Sequence, residues 1–350
     1  MKKIPVGVLG ATGAVGQRFV QLLEDHPWFE LVAVAASERS AGRRYADACS
    51  WKLDTPLPAG SRDLVVQPVE PRLECDLVFS ALDATVAGPA EEAFAAAGYA
   101  VLSNSRNHRM DADVPLLVPE VNPGHAALIP VQRSQRGWGG YIATNPNCST
   151  ATLVLALAPL ALRFGVKAVA VTTLQAVSGA GYPGLPSLDI LGNVIPFIAG
   201  EEEKIERETR KILGTMSGDA VAPHPAVVSA TTTRVPVVDG HTASVFVTLD
   251  ADPGVEALED AFRSYRALPQ ERGLPSAPAH PTLLAEGDDR PQPRLDLGRE
   301  RGMASIVGRV RRCAVMGYKF VVLGHNTIRG AAGAAILNAE LLKSEGLLGR

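Results

Sequence analysis

The stretch Ile4-Pro-Val-Gly-Val-Leu9, followed without a break by Gly10-Ala-Thr-Gly13-Ala-Val-Gly16, decides how this chain is read. The first six residues make a short apolar run of the kind a buried strand presents. Three glycines then arrive at intervals of three, while Val15, Phe19, Val20, Leu22 and Leu23 continue with helical spacing. Strand, glycine turn and helix in that order are what a dinucleotide site needs. The glycines let the backbone turn sharply and approach a pyrophosphate, whose charge then rests on unpaired N–H groups at a helix start. Gly10, Thr12, Gly13, Ala14 and Val15 are the candidate contacts, although G-x-x-G-x-x-G departs from the commoner G-x-G-x-x-G.

Working outward, Leu31 to Ala36 reads as a second strand and ends in Ser37-Glu38-Arg39-Ser40. An acid at this place would hold the ribose 2′-hydroxyl of NAD, whereas Ser37, Arg39 and Ser40 suit a 2′-phosphate, so NADP is the expected cofactor. Glu38 opposes that reading if its carboxylate faces the ribose. Strand-like runs at 64–66, 77–80 and 100–103, with an alanine-rich helix at 89–97, extend the pattern to a doubly wound, mostly parallel sheet over the first 145 residues or so.

The 350 residues exceed one usual domain of about 100–200, so two are expected. With 34 Lys and Arg against 37 Asp and Glu, bulk charge gives no reason to expect a nucleic-acid partner. The 33 glycines and 26 prolines imply many tight turns. No apolar run approaches the roughly 18 residues of a membrane span, and Met1-Lys2-Lys3 leads into a strand instead of a signal segment, so a cytoplasmic protein is expected. The four cysteines, Cys49, Cys75, Cys148 and Cys313, show no C-x-x-C spacing, which suggests neither a zinc site nor a disulfide framework.

Cys148 stands apart. Ala143-Thr-Asn-Pro-Asn-Cys148-Ser-Thr150 is turn-forming, and the apolar run 151–162 follows, which puts the thiol at the start of a buried helix. The helix terminus favours an anion there and is expected to depress the thiol pKa. The other three cysteines read as buried and inert. Asp239-Gly240 is a hairpin signal between 231–237 and 242–249, and it aims His241 from a turn. His26, His125, His224 and His280 read as surface residues.

The chain resembles the aspartate-semialdehyde dehydrogenases, in particular their archaeal and fungal branch. The resemblance runs over nearly the whole length. It rests on Gly10–Gly16, Ser103-Asn104 with Arg109, Val118-Pro-Glu-Val-Asn122, Asn145-Pro-Asn-Cys148-Ser-Thr150, Gln175-Ala-Val-Ser-Gly-Ala-Gly-Tyr-Pro-Gly184, Glu201-Glu-Glu-Lys204, Arg234-Val-Pro-Val-Val-Asp-Gly-His241-Thr242 and His325-Asn326-Thr-Ile-Arg-Gly-Ala-Ala-Gly333. It implies an α/β fold: a Rossmann-type dinucleotide-binding domain from 1–147 and 326–350, and an α+β catalytic and dimerisation domain, like that of glyceraldehyde-3-phosphate dehydrogenase, from 148–325.

The implied reaction is NADPH-dependent conversion of aspartyl 4-phosphate to aspartate 4-semialdehyde and inorganic phosphate through a cysteine thioester, in lysine, methionine and threonine biosynthesis. By the same resemblance Cys148 is the nucleophile, His241 the acid/base and Gln175 an orienting residue. Arg234 binds the substrate carboxylate, Glu201 or a neighbouring acid among Glu201–Glu203 binds its ammonium, Lys204 and Arg109 bind phosphate, and Asn147 adjoins the substrate. Ser178, Gly179 and Asn326 join the cofactor contacts, and a homodimer or homotetramer is implied.

The remaining charges of 201–211 read as a solvated helix face. Ala243 departs from the acid many members carry after the His-Thr pair, and 274–302 reads as a long ordered loop or subunit contact. Two other readings stay open: a malonyl-CoA-type acyl-CoA reductase, and a homologue without catalysis that serves as a binding subunit.

Overall fold

The computed structural model describes residues 2–348, so Met1, Gly349 and Arg350, at the ends of the expected nucleotide domain, lie outside it. Strand β1 (Ile4–Leu9) is paired on both sides and apolar throughout its buried part. Helix α1 (Ala14–Leu23), β2 (Phe29–Ala35), β3 (Val66–Gln67), β4 (Leu77–Ser80), helix α2 (Ala84–Ala96), β5 (Ala100–Ser103) and β6 (Tyr141–Thr144) follow. The six strands form one parallel sheet in the order β3-β2-β1-β4-β5-β6, whose direction of growth reverses between β1 and β4. That reversal is where an open α/β sheet leaves a crevice for a ligand. The expected strand at 64–66 starts two residues later, and α2 begins before Pro89, because Asp83 caps it by accepting from Thr85 N–H.

Helix α3 (Cys148–Phe164) is buried from Ser149 to Leu160. An all-round apolar helix belongs between layers, and α3 packs under the second sheet through Leu153, Ala156, Leu157 and Leu160. Next come β7 (Val166–Gln175), helix α4 (Glu201–Ile212), the small hairpin β8 (Thr215–Ser217) and β9 (Ala220–Ala222), β10 (Val227–Arg234), β11 (His241–Leu249) and helix α5 (Val255–Ser264). Strands β12 (Thr282–Leu284), β13 (Ser305–Cys313) and β14 (Gly317–Gly324) complete a mixed sheet in the order β10-β7-β11-β14-β13-β12. The stretch 274–302 is thus ordered around an edge strand.

The expected hairpin between β10 and β11 does not form. β7 lies between them, parallel to β10 and antiparallel to β11. The connection 235–240 therefore spans two strand spacings, about 10 Å, and a two-residue turn cannot do that.

One face of this sheet carries α3 and α5; the opposite face is bare, with Leu174 and the largely exposed Val227 (69 % exposed) upon it. Helix α6 (Gly333–Ser344) returns to the first sheet and places Ala335, Ile336, Ala339 and Leu342 in the core that contains Val6, Phe19 and Phe79. The turn before it, Ile328–Ala332, is a π-helical one. It carries the fully buried Arg329, which grips both oxygens of Glu120 at 2.7 Å.

Among the described residues no helix is long and apolar enough to cross a membrane.

Candidate active site

Strands of the second sheet end at one edge. Gln175 closes β7, Arg234 closes β10 in register with it, and His241 opens β11. The arch joining β10 to β11 passes over the end of β7, where Val235 N–H donates to Gln175 O (3.0 Å) and Val177 N–H donates to Val237 O (2.8 Å). Asn326 pins this arch from the tail side. It accepts from Gly240 N–H and donates to Ser178 Oγ, both at 2.8 Å.

Cys148 approaches the same point from below as the first residue of α3. Asn147 caps the helix by accepting from Ser149 and Thr150 N–H (2.9 and 3.2 Å), a contact worth about 1 kcal/mol. The Cys148 Sγ stands 3.1 Å from His241 Nε2. On the far side of the ring Ala176 N–H donates to Nδ1 at 3.1 Å. A ring nitrogen that accepts carries no proton, so the neutral imidazole is the Nε2–H form and its proton faces the sulfur. Ala243 points into the core of the second sheet, and the imidazole's Nδ1 is held by Ala176 N–H.

Burial, then Arg234 and His325, hold the imidazole far below its ordinary value, at about 3. Burial and the neighbouring Glu201 push the Cys148 thiol up to about 12, against smaller opposing effects from Arg109, Arg234 and the Ser149 backbone. The expected depression of the thiol pKa is thus reversed, because desolvation outweighs the helix terminus. The resting pair is a neutral thiol beside a neutral imidazole, and part of Cys148 remains open to an incoming reactant.

Two glycines set the closeness of this arrangement. A Cβ on Gly179 would fall 2.7 Å from Arg234 Nη1 and 2.9 Å from His241 Cε1, and one on Gly330 would fall 2.5 Å from Cys148 Cβ.

Helix α4 supplies the charged wall. The Asn147 amide donates to both Glu201 oxygens (2.6 and 3.0 Å), and Lys204 Nζ donates to Glu201 Oε1 at 3.2 Å. Arg234 Nη1 donates to Ala176 O at 2.8 Å. Gln175 is buried, and its amide bonds Thr173 Oγ1 at 3.3 Å. Of the three candidate acids, Glu201 belongs to this cluster, Glu202 accepts from Thr232 N–H on the edge strand β10, and Glu203 is exposed.

The helix is no plain solvated face. Glu208 accepts from Arg109 Nη1 (3.0 Å) and from Asn147 N–H (2.6 Å), and Lys211 donates to the carbonyls of Arg109, Asp111 and Val114. Burial lowers that lysine's pKa to about 8. Glu201, Lys204, Glu208 and Lys211 recur at helical spacing along one face, a signal present in the sequence that the charge-run reading passed over.

The cofactor candidates lie along the first sheet. Gly10 has a φ of 74°, and a Cβ there would strike Ala81 O at 2.6 Å. Gly13 caps α1 with no side-chain acceptor, and a Cβ on it would meet only Gly10 O, at 3.4 Å, so the first amides of the helix are open to an anion. Gln17, missed in the sequence, fixes this turn by donating to Thr12 O and Ser50 O.

Beyond it a cavity of about 590 Å³ is lined by Ser37, Glu38, Arg39, Pro68, Leu82 and Val86. An apolar slot with an arginine and a serine at its rim fits an adenosine carrying a 2′-phosphate; Glu38 lines it too, and Ser40 stands behind, its N–H donating to Ser37 O.

Other expectations change. His26 and His125 are buried, bonded to Glu340 and to Gly214 O respectively, and Cys49 and Cys313 are only partly covered. Among the described residues no group of three or more His, Cys, Asp or Glu side chains is placed to hold a metal.

Comparison with known proteins agrees over the whole chain. Residues 5–129 match the semialdehyde dehydrogenase NAD binding domain and residues 157–329 the semialdehyde dehydrogenase dimerisation domain. Proteins named aspartate-semialdehyde dehydrogenase from Archaeoglobus fulgidus and Cryptococcus neoformans are 49 % and 51 % identical, covering 98 % and 99 % of this chain and 99 % and 98 % of theirs. The crystal structure of the Candida albicans aspartate semialdehyde dehydrogenase with NADP superposes with a TM-score of 0.92 at 46 % identity, covering 99 % of this chain and 100 % of that one. Two matched domains in this order, with relatives of this closeness at full length, establish that the chain belongs to the aspartate-semialdehyde dehydrogenase family.

Proposed function

We propose that this protein reduces L-aspartyl 4-phosphate to L-aspartate 4-semialdehyde with NADPH, releasing inorganic phosphate, in the biosynthesis of lysine, methionine and threonine. The observation that carries the reading is the 3.1 Å approach of Cys148 Sγ to an imidazole whose only proton points at it. In the forward direction the sulfur attacks the acyl carbon, the carbon–oxygen bond to phosphate breaks to leave a thioester, and the thiol proton departs with the leaving group as hydrogen phosphate. Lys204 and Arg109 receive the departing phosphate. Arg234 holds the substrate carboxylate, Glu201 its ammonium, and Gln175 the thioester carbonyl. NADPH, when bound, supplies the hydride that takes the thioester to the aldehyde level. The oxyanion that reduction leaves accepts a hydrogen bond from His241 Nε2–H and collapses, breaking the carbon–sulfur bond and releasing the aldehyde, and the expelled thiolate takes the Nε2 proton, which solvent restores to the imidazole.

Gly10, Thr12, Gly13, Ala14 and Val15 hold the pyrophosphate in this reading, Ser37, Arg39 and Ser40 the 2′-phosphate, and Ser178, Gly179 and Asn326 the nicotinamide end. The nucleotide unit comprises 1–147 and 326–350, the catalytic unit 148–325, and two copies meet across the bare face of the second sheet. We place the enzyme in the cytoplasm.

The test runs the reaction backwards. Oxidation of aspartate 4-semialdehyde by NADP is expected to require phosphate or arsenate, and Cys148→Ser is expected to lose activity on the order of 10³-fold with NADP binding retained. Turnover of malonyl-CoA with NADPH, without phosphate-dependent oxidation of the semialdehyde, would overturn the assignment in favour of an acyl-CoA reductase. Binding of NADP without either activity would leave a non-catalytic subunit.

A further inference from the structure

We propose that Glu208 is a positioning residue of this site, one carboxylate that sets Arg109 against the nucleophile by holding a guanidinium nitrogen and the backbone amide before Cys148 at once. The proposal rests on the reading that Cys148 is the nucleophile and Arg109 binds phosphate. Glu208 is 2 % exposed, which is unusual for a glutamate without a purpose-built set of partners. Its Oε1 accepts from Arg109 Nη1 at 3.0 Å and its Oε2 from Asn147 N–H at 2.6 Å, so both oxygens are committed, one to each side of the site.

Arg109 is restrained again where Nη2 donates to Asn104 O at 2.7 Å. Its Nε is buried without a partner among the described residues. Lys211, one turn further along α4, fixes the backbone of the same loop through the Arg109 carbonyl. The loop bearing Arg109 and the loop bearing Asn147 follow different strands of the first sheet, β5 and β6, and Glu208 reaches both from α4.

The carboxylate also sets the charge around the sulfur. The groups facing Cys148 are Arg109, Arg234, Glu201 and His241, with Lys204 paired to Glu201 and Glu208 paired to Arg109. Neutralising Glu208 leaves Arg109 uncompensated beside the thiol, and a less compensated cation favours the thiolate. A residue that merely filled space would not alter that balance.

Glu208→Gln keeps size and removes the charge. The probe is iodoacetamide, with alkylation of the Cys148 peptide followed by mass spectrometry across pH. The profile is expected to move to lower pH by about one unit. Phosphate-dependent turnover is expected to fall about tenfold in kcat with a raised KM for phosphate, because the nucleophile and the anion site lose their common anchor, while the KM for NADP stays within about twofold of the parent. Glu208→Asp, which keeps the charge but is too short to hold both partners, is expected to leave the alkylation profile in place and still raise the KM for phosphate. Should the glutamine variant fail to fold, the aspartate variant alone tests the proposal through that split.

An unmoved profile with unchanged kcat in folded Glu208→Gln overturns the proposal. So does a loss of activity that follows melting temperature and NADP affinity together with no shift in the profile. If the underlying reading fails instead, the parent protein itself shows no phosphate-dependent turnover, while the shift in cysteine alkylation still reports on Glu208.

Discussion

At the residue scale, Cys148 and His241 meet as two uncharged groups, and the energetic consequence falls on acid stability. His241, held at about 3, and His325, held at about 4 chiefly by burial and Arg18, both take up protons more readily in the unfolded chain. The sign follows: between the ordinary histidine value near 6.5 and the depressed folded values, the unfolded state binds more protons, so stability is full above about pH 6.5 and declines as the pH falls toward 4. Between pH 6.5 and 5 each residue contributes on the order of 2 kcal/mol to that loss. Urea midpoints measured at pH 7 and pH 5 are expected to draw closer together in His325→Gln than in the parent; an equal gap in both proteins would contradict the assignment. The arginine at the mouth of the nucleotide cavity is open to solvent and is expected to act through charge alone. Arg39→Ala should weaken NADPH at least about tenfold more than NADH, read from paired fluorescence titrations, and equal losses would make Arg39 a general support instead.

At the scale of elements, the π-helical turn Ile328–Ala332 is the backstop of the nucleophile. Gly330 has no room for a methyl group against Cys148, while the turn that carries it is anchored by the buried Arg329–Glu120 pair. Gly330→Ala is therefore expected to cost on the order of 10²-fold in kcat by displacing the sulfur, with the purified protein still folded and still binding NADP; activity within twofold of the parent would show that the turn yields. This contact was illegible in the sequence, because Gly330 and Cys148 lie far apart in the chain and no local pattern couples them. The first sheet was legible, since β1, the glycine turn and α1 are consecutive and each obeys its own periodicity. The β10–β11 hairpin misled for the converse reason: Asp239-Gly240 carries a local turn signal, while the insertion of β7 between the two strands is a long-range event that no turn residue encodes. Cys148 stood out by type and setting, whereas His241 and Asn147 were marked out by the family resemblance. Glu208 and Lys211 did not stand out: their spacing puts them on one helix face with Glu201 and Lys204, but only the fold shows that this is the buried face.

At the scale of the whole molecule, the bare face of the second sheet is where the proposed contact between copies is to be tested. Leu174 and Val227 are exposed upon it, and the matched dimerisation domain spans both. Leu174→Lys combined with Val227→Lys is expected to convert the parent oligomer to monomer in sedimentation velocity, with each chain still able to bind NADP; an unchanged sedimentation coefficient would move the interface elsewhere. A different consequence follows from α6. The first sheet is made early, but the helix that finishes its core, through Ala335, Ile336, Ala339 and Leu342, is translated only after every strand of the second sheet. On the ribosome the nucleotide half must wait with an apolar flank uncovered while the catalytic half is built, which is the kind of exposed surface that chaperones engage. The helix that closes the first layer is thus made after the whole of the second, and the oldest core is completed only once the younger half has been built.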